Sequence, residues 1–226
     1  MSLSEKYISL SREVAAAGAR LVAVTKTHPI ELIQQLYDLG HRDFGENRVS
    51  EFEEKYEALP KDIRWHFIGH LQRNKVKNIV DKASLVHSGD SLRLLRELDK
   101  RAEDRHVDVL LQYHIAEEES KYGLTRESGR QLMQSITEEP LRHVRIVGVM
   151  GMATYTDDEE QVAEEFRSLH EIYSDLKAEY FAEDPSFREI SMGMSGDYAT
   201  ALRQGSTLVR IGSLLFGERS QDRIDQ

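Results

Sequence analysis

Short apolar runs alternate with amphipathic segments along this sequence, and this alternation limits the possible folds more than any other feature. Runs rich in β-branched residues are typical of buried strands, and apolar residues three or four apart are typical of helices. Eight runs predict strands, at residues 21–25, 41–44, 64–68, 85–87, 107–115, 145–150, 189–192 and 207–211. Helical patterns lie between them, at residues 30–39, 48–58, 72–80, 91–102, 126–136, 157–180 and 197–204.

The strict order of strand and helix predicts the topology. Alternating strands and helices build a parallel sheet, and eight such units are the number that closes the sheet into a barrel. We therefore expect an α/β protein, with a single (β/α)8 TIM-like barrel forming one domain over residues 1–226. The alternative is an open, doubly wound parallel sheet.

An extra helix is expected before the first strand. Residues 4–17 are amphipathic, and Gly18 ends the pattern. After the eighth strand, residues 213–226 are interrupted by Gly217, so a full-length final helix cannot be assumed. We expect the N-terminal helix to pack beside the last strand and cover this flank. The alternative is that it caps the other end of the barrel.

Composition excludes several classes of protein. The formal net charge of -10 opposes binding to nucleic acids and anionic membranes, because those partners select basic surfaces. The chain has no cysteine, which excludes disulfides, thiolate nucleophiles and cysteine-ligated zinc. No apolar stretch approaches the ~18 residues of a membrane span, and the N-terminus lacks a signal sequence. We expect a cytoplasmic protein with no nucleic-acid or membrane partner.

Lys26 ends the first predicted strand, at the edge where β/α barrels carry their chemistry. Walls of low dielectric around a lysine disfavour its ammonium form, and the neutral amine can condense with an aldehyde. Lys26 is therefore a candidate Schiff-base residue. The alternative is a solvated lysine that begins a loop, since strand-end lysines are common.

Glycine and serine follow the seventh and eighth predicted strands, where β/α barrels commonly bind a phosphate. Ser195 can donate its hydroxyl, and Gly196 allows the backbone to approach a ligand closely. Gly212 and Ser213 can donate backbone N–H groups from the neighbouring loop. The alternative for Ser195 is that it merely caps the helix that begins near Asp197.

Two further polar residues are candidates for contact with a ligand. Asn47 follows the second strand and can offer directed hydrogen bonds without charge, although helix capping is an equal alternative. Arg210 stands inside the apolar eighth strand, where an unpaired guanidinium is very costly. Its acceptor could be a ring nitrogen, a phosphate oxygen or a buried carboxylate such as Glu46. A purely structural ion pair is the alternative.

His66 and His70 look like a spaced pair of metal ligands, but His66 lies in a predicted strand. Four residues of strand span ~13 Å, too far for two ligands on one ion unless the chain turns at Gly69. We therefore predict no metal site here.

Five motifs follow one another in register from the first strand to Gly217. They are Ala-Val-Thr-Lys-Thr at 23–27, Phe-Gly-Glu-Asn at 44–47, Trp-His-Phe-Ile-Gly-His-Leu-Gln-Arg-Asn-Lys at 65–75, Ser-Met-Gly-Met-Ser-Gly-Asp at 191–197 and Arg-Ile-Gly-Ser-Leu-Leu-Phe-Gly at 210–217. Together they resemble the pyridoxal phosphate homeostasis protein family. The resemblance implies a barrel of the alanine racemase N-terminal type that carries pyridoxal 5′-phosphate (PLP) as a Schiff base on Lys26.

The resemblance also implies a set of cofactor-binding positions: Lys26, Asn47, Met192, Ser195, Gly196, Arg210, Gly212 and Ser213. The serines and glycines of this set match the phosphate positions of the family. Arg210 matches the arginine near the cofactor, where it would leave the ring nitrogen unprotonated and make PLP a poorer electron sink. The chain departs from the family at Tyr113-His114, where Val-Asn is common, and in the residues Thr27-His28-Pro29 that follow Lys26.

The function that the resemblance implies is intracellular PLP homeostasis by a carrier without strong catalytic activity. Its expected partners are apo forms of PLP-dependent enzymes, and it is expected to be a monomer or weak dimer. The alternative is an amino-acid racemase or decarboxylase on the same barrel. Racemases of this fold carry a second domain that supplies the opposing base, and 226 residues leave no room for it, so we expect no appreciable racemisation. A third reading is an aldolase-like barrel that uses Lys26 against sugar phosphates.

Overall fold

A computed structural model describes residues 1–117 and 122–217 of the chain. Its centre is a closed barrel of parallel strands in sequence order, in which each strand pairs with the next and the last pairs with the first. The strands are β1 (Arg20–Val24), β2 (Asp43–Glu46), β3 (Arg64–Phe67), β4 (Leu85–Gly89), β5 (Val107–Gln112), β6 (Val144–Met150), β7 (Glu189–Ser191) and β8 (Leu208–Ile211). The predicted barrel is confirmed, and the open sheet is excluded.

Helices connect successive strands and surround the barrel. They are α1 (Leu3–Ala16), α2 (Ile30–Asp38), α3 (Val49–Ala58), α4 (Leu92–Arg101), α5 (Arg126–Glu138), α6 (Glu159–Tyr180), α7 (Tyr198–Arg203) and α8 (Ser213–Phe216). The helix predicted at 72–80 is instead a 3₁₀ helix over Arg73–Asn78. Within the two described ranges, the structure contains no helix with the length and apolar character that crossing a membrane requires.

The N-terminal helix α1 begins with a capping box, in which Ser2 and Glu5 exchange side-chain and backbone hydrogen bonds. Leu10 and Val14 bury its apolar face, and the helix contacts β1, α2 and α8. It therefore covers the flank where β1 adjoins β8, as predicted. Helix α8 is a single turn that ends at Gly217, whose φ of 88° lies in the left-handed region. Residues 218–226 of the predicted last segment lie outside the described residues.

Apolar side chains form two layers on the two faces of the barrel wall. The outer layer, between strands and helices, includes Phe44, Phe52 and Trp65. The inner cluster fills part of the barrel and consists of Val22, Leu85, Leu110, Val147, Met150 and Leu208. Burial on both faces explains why the strands read as apolar runs. The rest of the interior is polar, and it includes Arg210 on β8, which belongs to the candidate site.

Candidate functional site

Lys26 lies at the carboxyl-terminal mouth of the barrel, two residues after β1 ends. Val22 belongs to the inner cluster, and side chains alternate along a strand, so Val24, the last residue of β1, also faces the interior. Lys26 is partly buried. The fold therefore places residue 26 at the carboxyl-terminal rim of the barrel.

Helix α3 holds the turn that carries Lys26. The buried Lys55 donates from Nζ to the carbonyl of Thr25 at 2.7 Å, and the N–H of Thr27 donates to Glu51 at 2.6 Å. Thr27 has φ of 66°, a left-handed conformation that costs a β-branched residue energy. The surrounding contacts impose this conformation directly after Lys26, so the position of the turn is tightly determined.

Glu46 and Lys55 form a buried ion pair behind this turn. Lys55 Nζ lies 2.6 Å from Glu46 Oε1, and the Thr25 hydroxyl donates to the same oxygen at 2.5 Å. Burial raises the pKa of Glu46, and the charge of Lys55 offsets part of that rise. Since Glu46 points toward α3, it is not the partner of Arg210, and that suggestion from the sequence is wrong.

The loops after β7 and β8 meet at Ser195. Its hydroxyl accepts from the backbone N–H of Gly212 at 3.3 Å and from that of Leu214 at 3.2 Å. The N-cap of α7 is Asp197, whose carboxylate accepts from the N–H of Met194. Ser195 therefore ties the two loops together, and the alternative that it only caps α7 is wrong.

Backbone geometry leaves room beside these loops. Gly193 has φ of 95°, and a Cβ there would lie 2.6 Å from the Cβ of Ala201, so glycine is required at the turn after β7. At Gly196, by contrast, a Cβ would meet nothing within 4 Å. The backbone at Gly196 is thus open to the close approach of another group.

The loop after β8 also contacts the strand end that carries Lys26. A Cβ on Gly212 would lie 3.3 Å from the carbonyl oxygen of Val24, and the rings of His28 and Phe216 are 4.5 Å apart. The structure thus brings together the ends of β1, β7 and β8. Five of the predicted positions lie in this region, namely Lys26, Ser195, Gly196, Gly212 and Ser213.

Asn47 follows β2 at the same end of the barrel. Its Oδ1 is buried, with no hydrogen-bond partner among the described residues. A Cβ on Gly69 would lie only 2.1 Å from the Asn47 carbonyl oxygen, so glycine is needed where the loop after β3 crosses it. A cavity of ≈ 360 Å³ opens beside Asn47 and is also lined by His70, Gln72 and Lys75.

Arg210 lies in the barrel interior on β8 and is only 4% exposed. Its Nη1 donates to the Ser191 hydroxyl at 2.6 Å, and its Nη2 donates to the carbonyl of Gly151 at 3.1 Å. Burial lowers the pKa of Arg210 to about 10, and the nearby charge of Asp197 acts in the opposite direction. Both of these acceptors are neutral, so the positive charge has no carboxylate in direct contact among the described residues.

Sequence reasoning missed three buried interior residues, His66, His87 and Ser191, which are connected to Arg210 by hydrogen bonds. Each is a polar residue within an otherwise buried strand, and this was the available signal. His66 and His70 have separate partners, because His70 lies at the rim against Asp90 and Tyr122.

Met192 is separated from the other predicted positions. Its side chain is fully buried in the outer layer with Ile190 and Val209, because it follows the inward-facing Ser191. Any part that Met192 takes in the site therefore involves its backbone or its packing.

Tyr113 and His114, which depart from the family pattern in the fifth strand, point in different directions. Tyr113 packs outward against α5, where a Cβ on Gly129 would lie 2.3 Å from its hydroxyl oxygen. Burial raises the pKa of Tyr113 to about 12. His114 follows on the opposite side of the wall, and its buried Nδ1 has no partner within the described ranges.

A second cavity, of ≈ 520 Å³, lies at the amino-terminal end of the barrel. Its charged lining is arranged in ion pairs, which are Arg20–Glu189, Arg64–Asp43, Arg145–Asp108 and Arg188–Glu189. This end is therefore held together by its own charges, whereas unpaired polar atoms lie at the carboxyl-terminal mouth.

The chain is similar to proteins of one known family. Residues 3–220 match the family model for the alanine racemase N-terminal domain. The pyridoxal phosphate homeostasis protein of Aquifex aeolicus is 43% identical over 204 residues, covering 89% of this chain and 87% of that protein.

Solved structures show the same relationship. PipY of Synechococcus elongatus PCC7942, without PLP, superposes with a TM-score of 0.86 at 32% identity, over 96% of this chain and 100% of that chain. With PLP bound, PipY gives a TM-score of 0.82 at 31% identity, over the same shares of the two chains.

Proposed function

This chain belongs to the pyridoxal phosphate homeostasis proteins, within the alanine racemase N-terminal domain family, and we propose that it holds PLP reversibly on Lys26. In this role it maintains a protected pool of the cofactor in the cytoplasm, in one barrel domain. The observation that carries the proposal is the convergence of the Lys26 strand end with the loops of Ser195 and Gly212.

The residues at the barrel mouth fit a phosphorylated aldehyde. The N–H groups of Gly212 and Leu214 already converge on one oxygen, the Ser195 hydroxyl, which is the arrangement that a phosphate oxygen uses. The buried Asn47 Oδ1 and His114 Nδ1 have no partner in residues 1–117 and 122–217, and they can bond polar groups of a ring. The backbone N–H donors therefore suit an anionic tail, and the buried Asn47 and His114 atoms suit a polar ring.

Each part of the site has a distinct task in this proposal. PLP supplies an aldehyde that a lysine amine can capture, and Lys26 is the lysine that follows the first strand beside the phosphate loops. Ser195, Gly196, Gly212 and Ser213 hold the phosphate. The ion pair of Glu46 and Lys55 fixes the Lys26 turn from behind, so the amine is presented in one place. Asn47, and Met192 through its backbone or packing, complete the pocket.

Arg210 would limit how strongly bound PLP acts as an electron sink. A guanidinium only donates hydrogen bonds and keeps its proton, so it does not protonate a ring nitrogen to build a strong electron sink. The recipients of the stored cofactor are then apo forms of PLP-dependent enzymes, and we propose that the carrier itself is a monomer or weak dimer.

Titration with PLP, followed by visible absorbance, tests this proposal. Wild-type protein should develop a saturable band from lysine-bound PLP, and Lys26→Ala should abolish it. Lys61→Ala, at an exposed lysine paired with Glu57, is the matched control and should behave as wild type. A wild-type protein that gives no band, or a band that persists in Lys26→Ala, would refute the proposal.

A further inference from the structure

A continuous line of hydrogen bonds crosses the barrel interior to Arg210. His66 Nε2 lies 3.0 Å from Asp43 Oδ1, and His66 Nδ1 lies 2.9 Å from His87 Nε2. His87 Nδ1 lies 2.9 Å from Ser191 Oγ, which accepts from Arg210. All five residues are buried and come from five different strands. We call this set the interior chain.

The two ends of the interior chain fix the direction of its hydrogen bonds. Arg210 can only donate, and the carboxylate of Asp43 can only accept. Asp43 is held ionised by Arg64, whose Nε and Nη2 bond its two oxygens at 2.9 Å and 2.6 Å. Although burial raises the pKa of Asp43, the bonds from His66 and Arg64 outweigh burial and hold it well below its usual range.

Between these ends, neutral imidazoles allow one arrangement. His66 donates from Nε2 to Asp43, so its Nδ1 must accept from Nε2–H of His87. The Nδ1 of His87 then accepts the hydroxyl proton of Ser191, which leaves the Ser191 oxygen to accept from Arg210. Burial keeps the pKa of His87 well below its ordinary value, in agreement with a neutral ring, and His66, Arg210 and Arg20 lower it further.

Arg210 depends on this chain for its orientation. Its contacts are one hydroxyl and one carbonyl, and the hydroxyl is the one that another side chain controls. If His87 adopted the other tautomer, its Nδ1–H would donate to Ser191 Oγ and the Ser191 hydroxyl proton would have to turn away from His87, which changes the acceptor that Arg210 meets. The tautomer of His87 therefore affects the orientation of the Arg210 guanidinium.

We propose that Asp43, His66, His87 and Ser191 are positioning residues that orient the Arg210 guanidinium beneath the barrel mouth, acting as one directed hydrogen-bond chain. This inference rests on the proposed function, in which Arg210 faces bound PLP. It assigns a positioning role to His66, which lines the cavity at the amino-terminal end of the barrel.

The first test needs no cofactor. Nitrogen-15 NMR of the apo protein should show the Nε2–H tautomer at His66 and at His87. Ser191→Ala removes the hydroxyl proton from His87 Nδ1, so the Nδ1 resonance of that ring should shift. An Nδ1–H tautomer at His87 in the wild type would overturn the proposal.

The second test is a double-mutant cycle on PLP affinity. We expect Ser191→Ala and His66→Phe each to weaken PLP binding about tenfold and to shift the band of lysine-bound PLP. We expect the double variant to lose no more than either single variant, because both break one chain. His106→Phe, at an exposed histidine, is the control and should bind as wild type.

The outcomes separate the two claims. A wild type that does not bind PLP contradicts the proposed function, and the tautomers still test the interior chain. A wild type that binds, with His66→Phe equal to His106→Phe or a roughly hundredfold additive loss in the double variant, overturns the interior chain alone. If His66→Phe does not fold, Ser191→Ala with the tautomer readout decides.

Discussion

The Ser195 hydroxyl oxygen lies 3.3 Å from the Gly212 amide nitrogen, and this contact joins the loops that follow β7 and β8. Leu214 donates to the same oxygen at 3.2 Å. Because Gly212 also lies against Val24, the joined loops are fixed relative to the turn of Lys26. The rim can therefore hold one ligand at two fixed points. The joined loops would bind its anionic group, and Lys26 would form the covalent bond.

We expect Ser195→Ala to weaken binding of PLP by roughly tenfold, the worth of one hydrogen bond to a charged group. Binding of pyridoxal, which lacks the phosphate, should change little, and this ligand is the control. Titrations of both ligands, followed by absorbance, measure the difference. Equal losses for the two ligands would show that Ser195 acts on the fold rather than on the phosphate.

We expect Lys55→Met to lower the free energy of unfolding by about 3 kcal/mol, because it leaves Glu46 buried without its cation. Lys61→Met breaks an exposed pair with Glu57 and should cost less than ~1 kcal/mol. Urea unfolding of both variants gives the comparison. Similar stabilities for the two variants would contradict the role assigned to the buried pair.

Stability should fall in mild acid. Burial lowers the pKa of His41 from 6.5 to about 4 in the folded protein. The unfolded chain binds more protons between these values, so the stabilisation is complete above pH ~6.5 and is lost as the pH falls toward ~4, by up to roughly 3 kcal/mol. Urea unfolding between about pH 7 and pH 4.5 measures the loss.

The matched variant for this prediction is His41→Gln, which keeps a donor for the carbonyl of Asp43 but does not titrate. Its loss of stability over the same pH interval should be smaller than that of wild type. Part of the loss should remain, because burial also lowers the pKa of His87. If His41→Gln lost as much stability as wild type over this pH interval, His41 would not be a cause of the loss.

Incubation with L-alanine and PLP should give no D-alanine beyond the level formed with PLP alone. The reason is that Arg210 keeps its proton and does not strengthen the cofactor as an electron sink. Chiral chromatography measures the product. Turnover at an ordinary enzymatic rate, on the order of 1 s⁻¹ or more, would favour the racemase alternative.

Much of the fold could be predicted from the sequence, because strands buried on both faces give apolar runs that stand out from their neighbours. The β5 run is the clearest error in length. It was predicted at 107–115 but ends at Gln112, after which Tyr113 forms only an isolated bridge with Leu124. Tyr113 and Ile115, which follow, both favour strands, so composition alone could not locate the end.

The candidate site was predictable mainly where its residues follow strands, and Arg210 was predictable because it is a charged residue inside an apolar strand. Ser195 and Gly212 carry such a signal, since glycine and serine after the last two strands are typical of phosphate loops. For the interior chain the only signal is that its members are polar residues in buried strands; the contacts between His66, His87 and Ser191 depend on how the closed barrel aligns distant strands. Met192 could have been assigned to the outer layer by alternation from Ser191, once the inward face of β7 was known.

Borohydride reduction of the PLP-treated protein, followed by peptide mapping, tests the central claim most directly. The account predicts a single stable pyridoxyl modification on Lys26, with Lys55 unmodified because it is buried and paired with Glu46. A modification distributed over exposed lysines, or one located on another residue while Lys26 stays unmodified, would contradict the account.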